Sequence, residues 1–126
     1  GSIMDIQMNL SSEQSFSEIY RFFLLLGITP NYLGFYQAAY AVALCMKEPE
    51  RLISITKSLY PDVAKYFRTS AGSVERNIRT VVRISWDSHP KILSDLSSES
   101  LQKQPTVSQF LSLIVFYFLY SDYKYL

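Results

Sequence analysis

Arg76, Arg79 and Arg83 stand three and four residues apart in the stretch AGSVERNIRTVVR, residues 71–83. A guanidinium is planar, always charged and donates two parallel N–H bonds from one edge, so a positioned arginine matches the O6 and N7 acceptors of guanine. That chemistry needs all three side chains to leave the backbone on one side. A helix, at about 100° per residue, does this. The arginines then share a face with Gly72 and Thr80, while Val74, Ile78, Val81 and Ser85 fall opposite. One stripe suits a core and the other suits water or a phosphate backbone. Periodicity alone is equally satisfied by a surface helix whose cations are merely solvated, so the surroundings of the segment decide.

Other chemistry is poorly supplied. His89 is the only histidine and precedes Pro90 in a polar loop, which argues against a histidine metal cluster or a Cys–His pair. There is no glycine-rich phosphate loop, G-x-S-x-G elbow or H-E-x-x-H, and the acids are too scattered for paired acid–base work. The sequence therefore predicts no enzyme, no cofactor and no metal. Cys45, inside the apolar run AAYAVALCM, is expected to be a small core residue, and a single cysteine fits a reducing, cytoplasmic setting. The net charge is only +1, but it is unevenly placed. Between Lys65 and Arg83 five cations (Lys65, Arg68, Arg76, Arg79, Arg83) meet one acid, Glu75, a local balance of +4 that leaves −3 elsewhere. A basic module of this kind matches a phosphate backbone better than the total charge suggests.

The elements that position these residues read as helices throughout. At 126 residues the chain is expected to form one domain. Ser15 or Ser17 can cap a helix through SEIYRFFLLLG, which Gly27 and Pro30 end. Asn31 can cap a second, YLGFYQAAYAVALCMK, stopped at Pro49, and a third is expected over ERLISITKSL. Pro61 suits the first turn of a short helix, PDVAKYF, with Asp62 favourably placed near its N-terminal dipole. Thr69 or Ser70 then caps the arginine helix, which runs to about Trp86. Beyond it lies a polar, serine-rich loop around one short helix, KILSDL, and Thr106 opens a last helix, TVSQFLSLIVFYFLY. Its nearly all-apolar run, Phe110 to Tyr120, is too short for a bilayer span of about 20 residues and is expected to be a buried core helix. With no alternating strand pattern, the expected class is all-α. A short helix, about three linking residues and a longer helix with a cationic outer face form the outline of a helix-turn-helix, whose second helix lies in the major groove.

The stretch LISITKSLYPDVAKYFRTSAGSVERNIRTVVRISW closely resembles the C-terminal effector domain of the master sporulation response regulator family of endospore-forming bacteria, the stage-zero sporulation transcription factors. The carriers are S-I-T-K-x-L-Y-P-D-V-A-K, then S-x-V-E-R-x-I-R and a tryptophan. Weaker similarity runs from about Tyr20 to Phe110 and includes PTVSQF. The resemblance implies a helical bundle around a helix-turn-helix that binds double-stranded DNA at a short TGTCGAA-like box. It implies that Arg76 and Arg79 contact bases with Glu75 beside them, accepting from a cytosine amino group. Lys65, Thr69, Ser70, Ser73, Thr80 and Arg83 would lie at phosphates or flanking positions.

The sequence departs from the family at several places. Ser73 and Tyr66 stand where cations are common, and the polar segment after Trp86 is shorter, in a region where the family contacts the sigma subunit of RNA polymerase. The last helix is far more aromatic, and Tyr117, Tyr120 and Tyr123 are expected at the surface, supporting a weak homodimer; the alternative is that the whole helix is internal. Residues 1–14 are expected to be a tag scar, beginning with Gly1 and Ser2, and a disordered lead-in, with the effector domain over 15–126. The family's receiver domain is not represented, either because it was cut away or because this is a stand-alone relative. The competing function is a protein-interaction module that uses the aromatic C-terminal helix in place of DNA binding.

Overall fold

Gly27 and Pro30 divide the first long apolar stretch into two helices. Gly27 takes φ 88°, which lets its N–H reach Leu24 O (3.0 Å) and the next N–H, of Ile28, reach Phe23 O (3.0 Å). This 6→1 and 5→2 pairing closes the carbonyl end of a helix. The computed structural model describes residues 16–121. Its α-helices are α1 (residues 16–25), α2 (Leu33–Lys47), α3 (Tyr60–Phe67), α4 (Ala71–Ser88), α5 (Pro90–Leu96) and α6 (Val107–Tyr120). No strand occurs among the described residues, so the fold is all-α, as expected.

In α1 and α4 the buried residues are those the helical period selects. In α1 and the turn that ends it, Ile19, Phe22, Phe23 and Leu26 are buried, with Ile19, Phe22 and Leu26 at spacings of three and four. In α2 the buried set (Gly34, Phe35, Gln37, Ala38, Ala39, Ala41, Val42, Cys45) wraps most of the circumference, and the helix packs against α3, α4 and α6. Its alanines keep it thin enough to be the central element. Helix α6 opens with a capping box: the Thr106 hydroxyl accepts from Gln109 N (3.1 Å), and the Gln109 side chain accepts from Thr106 N (2.9 Å). No helix among the described residues is long and apolar enough to cross a membrane.

The structure corrects several expectations. ERLISITKSL is not one α-helix. Pro49–Ile53 forms a 3₁₀ turn, Ser54 breaks the helix with φ −134° and ψ 57°, and Ile55–Leu59 makes a wide π-type turn that leads straight into α3. The β-branched run Ile53, Ile55 and Thr56 and the local competition of Ser54 for backbone bonds explain the break. Arg51 then stitches the pieces together: its guanidinium donates to Asp62 (2.7 Å), Glu48 (3.1 Å) and the Ser58 carbonyl (3.2 Å). The N-cap of α2 is Tyr32 and not Asn31, and no side chain caps it. Ser17 lies within α1, while Ser15 and the lead-in over 1–14 lie outside the described residues.

Tyr117, expected at the surface, is a core residue. It is 4% exposed and its ring stacks on Phe22 with centroids 4.6 Å apart. One residue turns a side chain by about 100° and one full turn brings it back, so Phe116 (49% exposed) and Tyr120 (66%) share an outward face while Tyr117 faces α1. Tyr123 lies outside the described residues.

Candidate nucleic-acid interface

Local hydrogen bonds set the turn between α3 and α4. Arg68 N–H donates to Lys65 O (3.3 Å) and Thr69 N–H to Ala64 O (2.9 Å), the same closure that ends α1. Here the left-handed position is held by Arg68 (φ 55°, ψ 50°), where glycine is the unstrained choice. The turn keeps a cation at the cost of some backbone strain. Ser70, extended at φ −92° and ψ 155°, is the N-cap of α4, and its Oγ accepts from Ser73 N (3.1 Å). Arg68, Thr69 and Ser70 are thus the three linking residues, and α3 and α4 pack directly on each other through Val63, Ala64, Val74 and Ile78 in the core.

Two glycines and one polar pair fix the position of α4. A Cβ on Gly34 of α2 would lie 2.7 Å from the backbone oxygen of Asn77 and 3.0 Å from Val81 Cγ2, so α2 and α4 touch at backbone distance. Beside that contact Asn77 Nδ2 donates to Gln37 Oε1 (2.9 Å). At the far end a Cβ on Gly27 would meet Ser88 Cβ at 2.7 Å, so α1 closes on the last turn of α4. Val74, Ile78, Val81, Val82 and Ser85 are buried, and the Ser85 hydroxyl is satisfied by Val82 O (2.8 Å). The face assignment read from the sequence is the one the structure has.

On the opposite face Arg76, Arg79 and Arg83 are exposed, and with Thr80 they line a shallow groove of about 300 Å³. Their states differ. The Arg79 fork is engaged by Glu75 one turn earlier, Nε donating to Oε1 (3.0 Å) and Nη2 to Oε2. That hydrogen-bonded partner holds the Arg79 guanidinium above its ordinary pKa. Arg83 has only a loose pairing with Asp87, at 3.9 Å. Arg76 has no acidic partner among the described residues. A base edge can therefore take the Arg76 fork directly, whereas Arg79 must share or exchange Glu75. Burial pushes the Tyr60 hydroxyl up to about 12, with Glu75 adding to the rise and Arg79 opposing it. Tyr60 is a neutral phenol at physiological pH.

The flanking residues also differ in what they can offer. Lys65, Thr69 and Ser70 are exposed at the turn. The Ser70 oxygen accepts from the backbone, which leaves its proton to donate outwards. Ser73 is half-buried, and the Thr80 hydroxyl donates to Arg76 O (3.1 Å), so its proton is already used. Sequence reasoning missed Gln104, which the loop between α5 and α6 brings beside Arg76, Arg79, Thr80 and Arg83. No spacing rule relates it to α4. It also missed Tyr60 beneath the Glu75–Arg79 pair and the Arg51 clamp, although Asp62 in the first turn of α3 was a visible half of that clamp.

A sequence model of the family described as sporulation initiation factor Spo0A C terminal matches residues 19–118. The chain belongs to this family. The Spo0A C-terminal family is a DNA-binding effector domain of a transcription factor and not an enzyme. The match spans α2 to α5 entire, including the turn, the Gly27 and Gly34 contacts and Gln104, and it ends inside α6 before the exposed Tyr120. The features that position α4 and its arginine face thus lie wholly within the Spo0A-type domain.

Proposed function

We propose that this domain binds double-stranded DNA sequence-specifically, with α4 in the major groove and α3 across the backbone. One observation carries the reading: α4 seals its apolar face into the core and leaves three arginines exposed along the other, immediately after a three-residue turn. Arg76 and Arg79 are the base readers, each directed at a guanine, with Glu75 accepting from a cytosine amino group while it orients Arg79. Lys65, Thr69, Ser70, Ser73 and Arg83 meet phosphates, and Thr80 flanks them once its hydroxyl turns from the Arg76 carbonyl. The target in this reading is a TGTCGAA-like box, and the segment beyond Trp86 meets the sigma subunit of RNA polymerase; the resemblance of the arginine module to the sporulation-regulator effector domains supports both.

A gel shift with that box and a scrambled duplex, at two salt concentrations, tests the assignment. Arg76→Ala and Arg79→Ala should each lose roughly 5- to 150-fold in discrimination, with an unchanged far-UV circular dichroism spectrum. Unaltered affinity and specificity in both variants would end the recognition-helix reading.

A second reading concerns self-association. Phe116 and Tyr120 are exposed one turn apart with ring centroids 5.1 Å apart, and they border a groove of about 910 Å³ between α5 and α6. A weak homodimer through this surface would link binding at adjacent boxes. Sedimentation of the wild type and Tyr120→Glu tests it: a monomer at high concentration, or a dimer indifferent to the charge, removes the idea.

A further inference from the structure

Gln104 is remote from α4 in sequence, yet it lines both the arginine groove and a larger groove of about 810 Å³ that holds Glu75, Tyr60 and the Ile55–Leu59 turn. It therefore stands as a ridge on the Glu75–Arg79 flank of α4. Its side-chain amide has no hydrogen-bond partner among the described residues. The backbone beneath it is held on both sides: Leu101 N–H donates to Ser94 Oγ (3.2 Å), and the buried Pro105 leads into the Thr106 capping box. A half-exposed amide on an anchored loop, with the exposed Gln102 and Lys103 preceding it, is a polar shoulder beside the arginine face.

We propose that this α5–α6 loop is a second DNA-backbone element, in which Gln104 donates an amide N–H to a phosphate and Lys103 supplies a positive charge. The inference rests on the major-groove placement of α4. A helix in the groove faces the floor, where base edges lie, whereas an element standing at its flank meets the groove wall, which is phosphate. A neutral amide donor fits that role because it fixes register without adding charge. Lys103 adds attraction that every sequence offers equally.

The test uses the full chain, with dissociation constants for the box and for a scrambled duplex measured across a salt series. Gln104→Ala should bind both duplexes about tenfold more weakly, the loss expected for one hydrogen bond to a charged acceptor, with an unchanged salt slope. Lys103→Ala should also weaken both, and should reduce the slope of log K against log salt by about 1. Neither side chain is buried, so urea midpoints should match the wild type. If Gln104→Ala weakens only the box, Gln104 reads a base and the phosphate assignment falls. If Arg76→Ala is defective while Gln104→Ala and Lys103→Ala are both indifferent, the loop has no role and the inference alone is overturned. A wild type that binds neither duplex overturns the major-groove reading and this inference together.

Discussion

Replacing Gly34 with alanine isolates the contact that positions the arginine helix, because Gly72 provides an internal reference. Both glycines are the second residue of a helix, Gly34 in α2 and Gly72 in α4. The intrinsic gain from glycine to alanine, at most about 1 kcal/mol, is therefore similar at the two sites. Their surroundings are opposite. At Gly72 the new methyl would find only Arg76 Nη1 at 3.6 Å, an ordinary contact with a flexible group. At Gly34 it would lie 2.7 Å from Asn77 O, about 0.7 Å inside normal contact, and backbone cannot rotate away. Overpacking of this kind costs about 1–3 kcal/mol, and a backbone obstacle belongs near the upper end. Gly34→Ala should therefore be destabilised by about 2 kcal/mol after the propensity gain, and Gly72→Ala should be neutral or stabilised by a few tenths. With urea m-values of about 1–3 kcal/mol/M, Gly34→Ala should lower the unfolding midpoint by about 1 M. Because the displaced group is the α4 backbone beside the Gln37–Asn77 bond, DNA affinity should also fall in the fraction that remains folded. Equal midpoints for the two variants would refute the claim that α2 and α4 meet at backbone distance.

Three other outcomes follow from the same geometry. Ile78→Ala removes a fully buried side chain from the apolar face of α4 and should cost about 2–5 kcal/mol, read from urea denaturation; a thermally unchanged variant would mean the face is rotated. Arg51→Ala removes the clamp on Asp62, Glu48 and the Ser58 carbonyl and should cost about 1–3 kcal/mol, with faster amide exchange across Ile55–Phe67 as the local signature. Burial raises Cys45 from 9.0 to about 11 and Tyr60 from 10.0 to about 12, so in each case the folded state holds its proton longer than the unfolded chain. That stability is fully present below pH 9 and is lost as pH rises from about 9 to 12. Thermal midpoints across that range should fall for the wild type, later for Cys45→Ala, and less steeply above pH 10 for Tyr60→Phe.

The helices of the arginine module were legible because their signals are local. Pro61 at a first turn, Ser70 before an alternating apolar and cationic pattern, and Thr106 three residues before Gln109 each act through backbone groups within one turn. The opposing faces of α4 followed from the helical period alone, since Val74, Ile78 and Val81 carry enough apolar area to choose the inside. Where signals conflicted the helix expectation failed: Glu50, Arg51, Leu52 and Lys57 favour a helix and Leu52, Ile55 and Leu59 keep its period, but the β-branched residues around Ser54 oppose it, and the chain became two irregular turns held by Arg51.

The aromatic helix α6 shows where sequence ceases to decide. Its residues are apolar nearly all round, so periodicity cannot choose a face, and only the position of Phe22 on α1 put Tyr117 inside and left Tyr120 out. Gln104 is the same case beside the arginine face. The sequence by itself determined that an arginine face would exist and which residues would anchor it, because those are properties of one helix. What stands beside that face and how closely α2 approaches it at Gly34 were decided by the packing of segments distant in the chain, through contacts that no local pattern encodes.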